Sequence, residues 1–409
     1  MLNKDGQREL AYVVAIDELR PIEGYDRVEH ARVGGWWVIV RKDQFKVGDL
    51  AIYIEVDSKV PEQEPFMFLD KRNFKVKTLK MCKVISQGLL MSPEDFGWTK
   101  GKDANGVALI NLGKEATNEM PYLNAGDFLT EKLGITYADA EDNKRKANSA
   151  DKYKLMAQRN GKLFSKQPFR WLMRRDWGKK LLFVFFGRKK DKKNGWPSHI
   201  ASKTDVERVQ NMIWILQDKK PFVATEKVDG SSMSVMAERS KFNKINKYVC
   251  SRNVVFENPE QDCYYDTNIY FEAYEKYNLG EKIEHMPKDL NLPNIAIQME
   301  VYGDGVQKRN YSMDNGERKI AVFHILSNNI KMPMEKVVEL CEKYDLPHVP
   351  IIDNNYVLPD TIEELQTYVE SAPSAIDGLD KEGIVFYDKK TGIQYFKFVS
   401  PSFLMKYHG

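Results

Sequence analysis

Two β-leaning segments, residues 221–224 and 233–236, flank a tight turn that carries Lys227, Asp229 and Gly230. A lysine that acts as a nucleophile must lose its proton, so it needs a partly desolvated pocket or a nearby metal or cation that lowers its pKa. The aspartate can hold a divalent metal, and the glycine lets the backbone turn tightly and approach a ligand. A plain Lys/Asp pair at the end of a strand has the same short pattern. The interpretation therefore depends on what the rest of the chain supplies.

The composition is that of a soluble globular protein. A length of 409 residues, with 42% hydrophobic and 30% charged residues, predicts two or three domains with ample core. The longest strongly apolar run, residues 181–186, is too short to span a bilayer, and the N-terminus has no apolar signal core. The cysteines are scattered without a C-x-x-C pair, which indicates a reducing, cytoplasmic location without disulfides or structural zinc; they are Cys82, Cys250, Cys263 and Cys341.

Positive charge is concentrated in one segment. Residues 144–193 contain eighteen Lys or Arg against three Asp, a local charge of +15, so the remainder carries +3 − 15 = −12. A basic segment within an otherwise acidic protein indicates a polyanionic partner, nucleic acid first. We assign residues 136–200 as a basic connector between an N-terminal domain, 1–135, and a C-terminal domain, 201–409.

Short strands dominate the N-terminal domain. Residues 10–16, 35–40 and 50–56 have strand patterns, and another strand is predicted near 75–84. About five short strands in roughly 100 residues favour a small β-barrel of the OB type. The strand near 75–84 carries Lys75, Lys77, Lys80 and Lys83, which either follow a phosphate backbone or form a solvated face.

Aromatic side chains alternate with cations in the connector. Phe164, Phe169 and Trp171 lie among Lys162, Lys166 and Arg170. Such residues can stack bases and pair phosphates. An amphipathic helix that packs its aromatics on a domain would have the same pattern, and both interpretations stay open.

The lysine-rich end of the connector yields a first prediction. We expect neutralising substitutions at Lys189, Lys190, Lys192 and Lys193 to reduce the salt dependence of nucleic-acid binding, because fewer counterions are released from the phosphates. Chemistry at the segment around Lys227 should stay nearly intact. An unchanged salt slope would mean that this loop only keeps the protein soluble.

The C-terminal domain is predicted to be α+β with mainly antiparallel strands. Thr204 and Glu207 form a potential capping box for a helix that would include Val209 and Ile213. Residues 334–344 and 361–369 have helical periodicity, and the second begins with a Thr361/Glu364 capping box. Between these helical segments the pattern predicts strands and turns.

Five charged residues interrupt or border apolar strands of this domain: Lys227, Asp229, Glu300, Glu382 and Lys397. Charges in such surroundings are costly unless they are paired or bind a ligand. Three carboxylates and two lysines indicate a site for a metal-bound polyphosphate. The alternative is an internal network of salt bridges.

In this order the residues resemble the covalent nucleotidyltransferase superfamily of polynucleotide ligases and capping enzymes. The matching stretches, in order, are Glu226 to Ser231 for motif I, Ser251 to Asn253 for motif Ia, Gln298 to Glu300 with Gly303 for motif III, Phe323 for motif IIIa, Glu382 to Val385 for motif IV and Lys397 for motif V. Residues 203–211 resemble the lead-in helix of ATP-dependent RNA ligases. With the OB-like module in front, the chain resembles RNA ligases that have an N-terminal OB domain and a C-terminal, ATP-grasp-like adenylyltransferase domain.

The resemblance implies a role for each site residue. Lys227 would attack the α-phosphorus of ATP, and Lys397 would neutralise charge on that phosphate in the transition state. Asp229, Glu300 and Glu382 would bind or position Mg²⁺ or Mn²⁺, partly through water. The nucleotide would also contact three residues: Phe323 by stacking on adenine, Arg252 at the ribose or the incoming strand end, and Glu226 at adenine unless it accepts from a backbone amide.

The sequence departs from the family pattern in three places. Tyr395 and Val399 flank Lys397 where many RNA ligases have a second lysine, Met299 replaces the usual glycine of motif III, and His324 follows Phe323 where an acidic residue is common. A second motif V lysine is therefore not identified.

The resemblance implies an enzyme that seals 3′-OH and 5′-phosphate RNA ends through lysyl-AMP and an adenylylated 5′ end, in RNA repair. DNA ligases and capping enzymes usually place an OB domain after motif V, whereas only twelve residues follow Lys397 here (409 − 397). They stay as alternatives, as does a non-catalytic RNA-binding protein. The expected partner is nicked or broken RNA, the expected state a monomer, and no membrane association is predicted.

Overall fold

The computed structural model describes residues 8–81, 84–117, 120–137, 172, 182, 195–204, 206–239, 245–261, 263–265, 267–392 and 395–408. The basic connector, including its aromatic residues and residues 188–193, thus falls almost entirely outside the described residues, as does Cys82. Within the described residues, no helix is long and apolar enough to cross a membrane.

The N-terminal part consists of short antiparallel strands. The strands are β1 Ala11–Ala15, β2 Glu18–Ile22, β3 Tyr25–Val33, β4 Trp36–Arg41, β5 Leu50–Ile54, β6 Ser58–Lys59, β7 Leu79–Met81, β8 Val84–Ser86, β9 Leu89–Met91, β10 Thr99–Lys102, β11 Ala108–Asn111, β12 Tyr122–Leu123 and β13 Thr136–Tyr137. They pair in the orders β1-β5-β9, β2-β3-β4, β7-β8, β6-β13 and β10-β11-β12. Short 3₁₀ helices connect them at Met67–Arg72, Pro93–Phe96 and Gly113–Glu115.

Strand β5 is the centre of this part because every residue from Leu50 to Ile54 is buried. Leu50, Ile52 and Ile54 face one apolar core, while Ala51 and Tyr53 face a second core that includes Trp36. Alternate residues of one strand therefore serve two cores, which is how a closed or strongly curved sheet buries both faces.

Two larger sheets form the C-terminal part. Their strands are β14 Glu207–Arg208, β15 Pro221–Lys227, β16 Ser231–Arg239, β17 Ile245–Ser251, β18 Val255–Phe256, β19 Asn294–Gly303, β20 Arg318–Ser327, β21 Ile330–Lys331, β22 Ile351–Val357, β23 Gly383–Asp388 and β24 Tyr395–Val399. The sheet orders are β14-β24-β23-β15-β22 and β18-β17-β16-β19-β20-β21. Among these strands only β14 and β24 pair in parallel, so the predicted α+β fold with mainly antiparallel strands is confirmed.

Four helices of eight or more residues lie in the described part of this domain: α1 Ile269–Lys276, α2 Leu279–Asp289, α3 Met334–Lys343 and α4 Ile362–Ser371. Short helical turns occur at Val209–Asn211, Ile213–Gln217, Pro401–Phe403 and Leu404–His408. Helices α1 to α3 pack on the six-stranded sheet, and α4 packs on the five-stranded sheet. The capping box of α4 is present, because the Thr361 hydroxyl accepts from the Glu364 amide and the Glu364 carboxylate accepts from the Thr361 amide.

The helix predicted to begin after Thr204 does not form. The Thr204 hydroxyl hydrogen-bonds to Ser232 Oγ at 2.9 Å, and the Glu207 carboxylate accepts from the Asn211 amide at 2.7 Å. Residues 207–208 instead pair with β24, and a 3₁₀ turn begins at Val209. Pairing with a buried strand has overridden the local capping signal, so the comparison of residues 203–211 with a lead-in helix was wrong about the helix.

The turn between β15 and β16 connects the two large sheets. Glycine is required at position 230 because a Cβ there would collide with the Val301 carbonyl oxygen and with Glu300 Cγ. The glycine thus allows close approach of strand β19, whereas the sequence had suggested approach of a ligand. This contact holds the segment after Lys227 against the strand that carries Glu300.

Candidate active site

Two adjoining cavities lie between the large sheets. A polar cavity of about 330 Å³ is lined by the five charged residues singled out above and by Arg252. A more apolar cavity of about 150 Å³ is lined by Phe323, His324, Val349, Val385 and Tyr387. Five side chains line both: Lys227, Ser232, Arg252, Glu300 and Lys397. The two lysines thus stand at the junction of a polar and an apolar chamber.

Lys227 is the last residue of β15 and is paired with Gly383 of β23. Its Nζ donates to Glu382 Oε2 at 2.5 Å, and 23% of its side chain is exposed. Burial alone would lower the pKa of Lys227, but the carboxylates of Glu382, Glu300 and Asp229 outweigh burial and raise it. The lysine is therefore a paired cation in the ligand-free protein and must be released from Glu382 before it can attack.

The other two carboxylates approach from the turn and from β19. Glu300 is paired with Ser232 across β16 and β19, and burial raises the pKa of Glu300 to about 8. Asp229 is 5% exposed, and its backbone N–H donates to the Tyr311 hydroxyl at 2.5 Å. The structure thus brings all three predicted carboxylates to the wall of one cavity.

Lys397 approaches from the other sheet. It lies on β24 opposite Val385, and its parallel neighbour on β14 is Arg208. Burial, together with the positive charges of Lys227, Arg208 and Arg8, lowers the pKa of Lys397 well below its usual value. A lysine destabilised in this way by other cations is suited to receive an anion.

Glu226 faces a loop beside the apolar cavity. Ser374 Oγ donates to its Oε1 at 2.5 Å and the Ala375 amide donates to its Oε2 at 2.7 Å. Two partners were predicted for Glu226, adenine and a backbone amide. The structure shows a hydrogen bond from a backbone amide, that of Ala375. Contact with adenine stays a prediction.

Phe323 and His324 form one end of the apolar cavity. Their ring centroids lie 5.1 Å apart, and the His324 ring meets Tyr387 edge to face. Burial lowers the pKa of His324 well below its usual value, so the imidazole is neutral. His324 Nδ1 lies 3.2 Å from the Gln298 side-chain oxygen, which ties the motif III strand to this wall.

Sequence reasoning missed several residues that line the polar cavity, among them Arg8, Asp57, Tyr137 and Arg208. The first three belong to the N-terminal strands and loops. The ring of Tyr137 contacts two guanidinium groups, with Arg8 at 5.3 Å and Arg252 at 4.7 Å from its centroid. No motif marks these residues, because their role arises only from how the two parts of the chain meet.

A buried polar junction holds the two parts together. Glu55, 1% exposed, accepts from Arg8, from the Tyr12 hydroxyl and from the Asn211 amide. The Asn211 carbonyl oxygen accepts from the Trp36 indole at 2.6 Å. Because every bond in this network is buried or half-buried, it fixes residues 207–211, and therefore Arg208, against β24.

The arrangement of the carboxylates in the polar cavity indicates how a divalent metal could bind there. Among the residues that the structure describes, no group of three His, Cys, Asp or Glu side chains is close enough to hold a metal ion directly. The three carboxylates nevertheless line one cavity, and Glu300 is buried without enough positive charge to keep its pKa low. Mg²⁺ usually keeps several waters and binds through one or two carboxylates plus phosphates. A hydrated divalent ion therefore fits this wall, whereas a bare ion held by all three carboxylates does not.

Comparisons with known proteins agree with this geometry. Residues 10–93 match an OB-fold domain model, and residues 220–408 match the RNA ligase family model. The search of curated proteins gave no match. Among solved structures, Naegleria gruberi RNA ligase with PPi is 23% identical with a TM-score of 0.68, and the match covers 98% of this chain and 99% of that one. Two mutants of that ligase with ATP and Mn are 24% identical, with TM-scores of 0.68 and 0.69, and cover 98% of this chain and 99% and 100% of theirs.

The fold and the site thus define a nucleotidyltransferase domain preceded by an OB-fold domain, as predicted. Residues 220–408 match the RNA ligase family model, and we call this part of the chain the ligase domain.

Proposed function

We propose that this protein seals RNA by ATP-dependent ligation, with Lys227 as the residue that carries AMP. The observation that supports this most directly is the position of Lys227 and Lys397 at the junction of an apolar and a polar cavity. A nucleotide with its base beside Phe323 and its phosphates among the charged residues places the α-phosphate between the two lysines. The Naegleria ligase, whose fold this chain shares, is known with ATP, with AMP and with Mn.

The three steps use one set of residues. Lys227 Nζ forms a bond to the α-phosphorus of ATP while the bond to the β-phosphate oxygen breaks and pyrophosphate leaves. The 5′-phosphate oxygen of the RNA then displaces Lys227 and takes the AMP, and the 3′-hydroxyl attacks that 5′-phosphate and expels AMP. Each step is a displacement at phosphorus beside Lys397, so one preorganised cation can stabilise all three transition states.

The carboxylates prepare the nucleophile. Glu382 holds the Lys227 ammonium group in the ligand-free protein. A divalent metal bound at Asp229, Glu300 and Glu382 through water would supply positive charge beside the lysine and the phosphates. With their charge compensated in this way, the carboxylates no longer raise the pKa of Lys227, and the amine can lose its proton.

Metal binding is expected to release a proton. Below a pH of about 8 Glu300 carries a proton in the metal-free protein, and a metal site needs the carboxylate. The affinity for Mn²⁺ should therefore rise with pH up to about 8 and level off above it. Calorimetry in two buffers of different ionisation enthalpy measures the released proton at pH 7.

The matched control for that measurement exchanges an exposed carboxylate on helix α3. Glu300→Gln should reduce the proton release and weaken binding, whereas Glu335→Gln should leave both as in the wild type. Equal proton release by the wild type and by Glu300→Gln would show that Glu300 does not serve the metal.

The proposal is tested with α-labelled ATP and Mn²⁺. We expect label on the protein that survives alkali and is released in warm acid, as a lysyl phosphoramidate should behave. No label is expected from α-labelled GTP, which would be the substrate of a capping enzyme. Sealing is then compared on nicked duplexes whose 3′ strand ends in RNA or in DNA. Label without sealing of either nick would leave a nucleotidyltransferase that is not a ligase, and preference for DNA ends would favour a DNA ligase.

Three further points belong to the same proposal. The enzyme acts in RNA repair on nicks or broken ends, works as a monomer and resides in the cytoplasm. The scattered cysteines support the reducing compartment. Light scattering of the purified protein checks the monomer.

A further inference from the structure

A row of cations continues from the edge of the polar cavity onto the OB-fold domain. Asp57 lines the cavity and accepts from Arg208 at 3.0 Å. The next residues form β6, which lies between β13 and the segment around Lys75. This face therefore begins at the site of chemistry and leads away from it.

Two lysines lie directly opposite each other on this face. Lys59 and Lys75 form an antiparallel bridge, flanked by hydrogen bonds from the Val60 amide to Phe74 and from the Val76 amide to Ser58. The two lysines therefore form a non-hydrogen-bonded pair, the kind of antiparallel pair in which the two facing side chains come closest to each other. Like charges directly opposite are destabilising, so the arrangement costs stability unless an anion lies between them.

The neighbouring residues extend the positive surface. Phe74 and Val76 are buried in the apolar core, so Lys75 and Lys77 point outward by the alternation of extended chain. Lys71 and Arg72 end the preceding 3₁₀ helix and are exposed. We call Lys59, Lys71, Arg72, Lys75 and Lys77 the basic track.

One lysine of the basic track has an exposed acidic neighbour. Lys59 Nζ lies 3.4 Å from Glu62, whose side chain is 67% exposed, and such surface pairs contribute little. Phe68, 60% exposed, lies on the same 3₁₀ helix as Lys71 and Arg72. Cations along a backbone path beside an exposed aromatic ring are the combination found in proteins that bind nucleic acid strands.

We propose that the basic track binds the phosphate backbone of the RNA substrate as it leaves the polar cavity, and that Phe68 stacks on one of its bases. This inference rests on the proposed function for the identity of the polyanion. For this surface it favours a phosphate-binding strand over the solvated face, the alternative that the sequence left open.

The test compares two triple variants that remove the same charge. Lys59→Ala/Lys75→Ala/Lys77→Ala changes the basic track. Lys288→Ala/Lys336→Ala/Lys343→Ala changes helices α2 and α3, which pack on the six-stranded sheet of the C-terminal part. Binding of a nicked RNA duplex is measured from 50 to 200 mM salt without ATP, so that the result does not depend on adenylylation.

We expect the basic-track variant to lose about 2 to 3 from the slope of log affinity against log salt, at about 0.9 for each phosphate contact. Raising the salt from 50 to 200 mM should then cost the wild type about 40-fold more affinity than the variant. The helix variant should keep the wild-type slope. Phe68→Ala should weaken binding without changing the slope, because stacking releases no counterions.

Two further measurements separate the explanations. Thermal unfolding should show that the basic-track variant is at least as stable as the wild type, because two opposed charges are gone. Self-adenylylation should be unchanged. Three results for the basic-track variant would each overturn the inference. The first is a salt slope equal to that of the helix variant, and the second is a loss of affinity for nicked DNA only. The third is a loss of self-adenylylation with RNA binding intact. Absence of lysyl-AMP in the wild type would instead contradict the proposed function.

Discussion

Lys227→Ala is expected to abolish formation of the protein–AMP adduct, with a loss of at least about 10⁴-fold, because the variant has no nucleophile at the junction of the two cavities. Lys227→Arg should be equally inactive, since a guanidinium group stays protonated and cannot attack phosphorus. The measurement is transfer of label from α-labelled ATP to the protein at saturating Mn²⁺. Circular dichroism establishes that both variants are folded.

Lys220 provides the matched control. It precedes the same strand, β15, but pairs with Asp218 and Asp388 at the other end, away from the cavities. Lys220→Ala should retain adduct formation. Lys227→Ala should still seal an RNA whose 5′ end is already adenylylated, since that step needs the metal site and Lys397 but no lysine nucleophile. Label on the Lys227→Ala protein would show that another residue carries the AMP.

The strands that carry the site could be predicted because each has a strong local pattern. Residues 295–303 and 394–399 are apolar runs interrupted by a single charge, Glu300 or Lys397, and the observed strands β19 and β24 fall within one residue of those limits. A charge in a buried strand is costly, so its presence indicates both the strand and the site. The order of the motifs along the chain then indicated nucleotidyl transfer, which no single residue could have done.

Two helices escaped prediction for local reasons. Helix α1 contains three aromatic residues and the β-branched Ile269 among its eight residues, and such residues favour strands. Helix α2 contains Gly280 and Pro287, which weaken a helical pattern. Both helices form because their apolar residues pack on the six-stranded sheet, and tertiary packing of this kind outweighs intrinsic propensity.

The share of the OB-fold domain in the site could not be predicted. Arg8, Asp57 and Tyr137 lie 219, 170 and 90 residues before Lys227 (227 − 8, 227 − 57 and 227 − 137), and nothing in their neighbours marks them. Their role follows from the buried junction of Glu55 with Asn211. The local sequence pattern carries no information about a contact between residues so far apart in the chain. In the structure the hydrogen-bonded network fixes that contact.

A buried ion pair supports the turn that carries Asp229. Arg309 Nη2 donates to Asp377 at 2.6 Å, with side chains 3% and 5% exposed. The guanidinium group lies 3.8 Å from the ring centroid of Tyr311, whose hydroxyl accepts from the Asp229 amide. Asp377 follows the loop residues Ser374 and Ala375 that bind Glu226. The pair therefore connects both sides of the lysine strand.

Asp377→Ala is expected to destabilise the ligase domain by about 3–5 kcal/mol, because it leaves Arg309 as a buried charge without its partner. That is a large part of the roughly 5–15 kcal/mol by which proteins are usually stable. Unfolding in urea measures the change. The control is Asp380→Ala, which removes an exposed pair with Lys406 and should cost less than about 1 kcal/mol.

The double substitution Arg309→Met/Asp377→Leu distinguishes loss of the pair from burial of an unpaired charge. Within the described residues, Arg309 Nε and Nη1 and Asp377 Oδ2 have no hydrogen-bond partner, so the desolvation of the pair is only partly offset. Apolar side chains of similar volume should therefore recover most of the stability lost in Asp377→Ala. Adduct formation should recover less, because Tyr311 loses the cation that lies against its ring. If Asp377→Ala and Asp380→Ala lowered the free energy of unfolding equally, the pair of Arg309 and Asp377 would contribute no more than a surface ion pair.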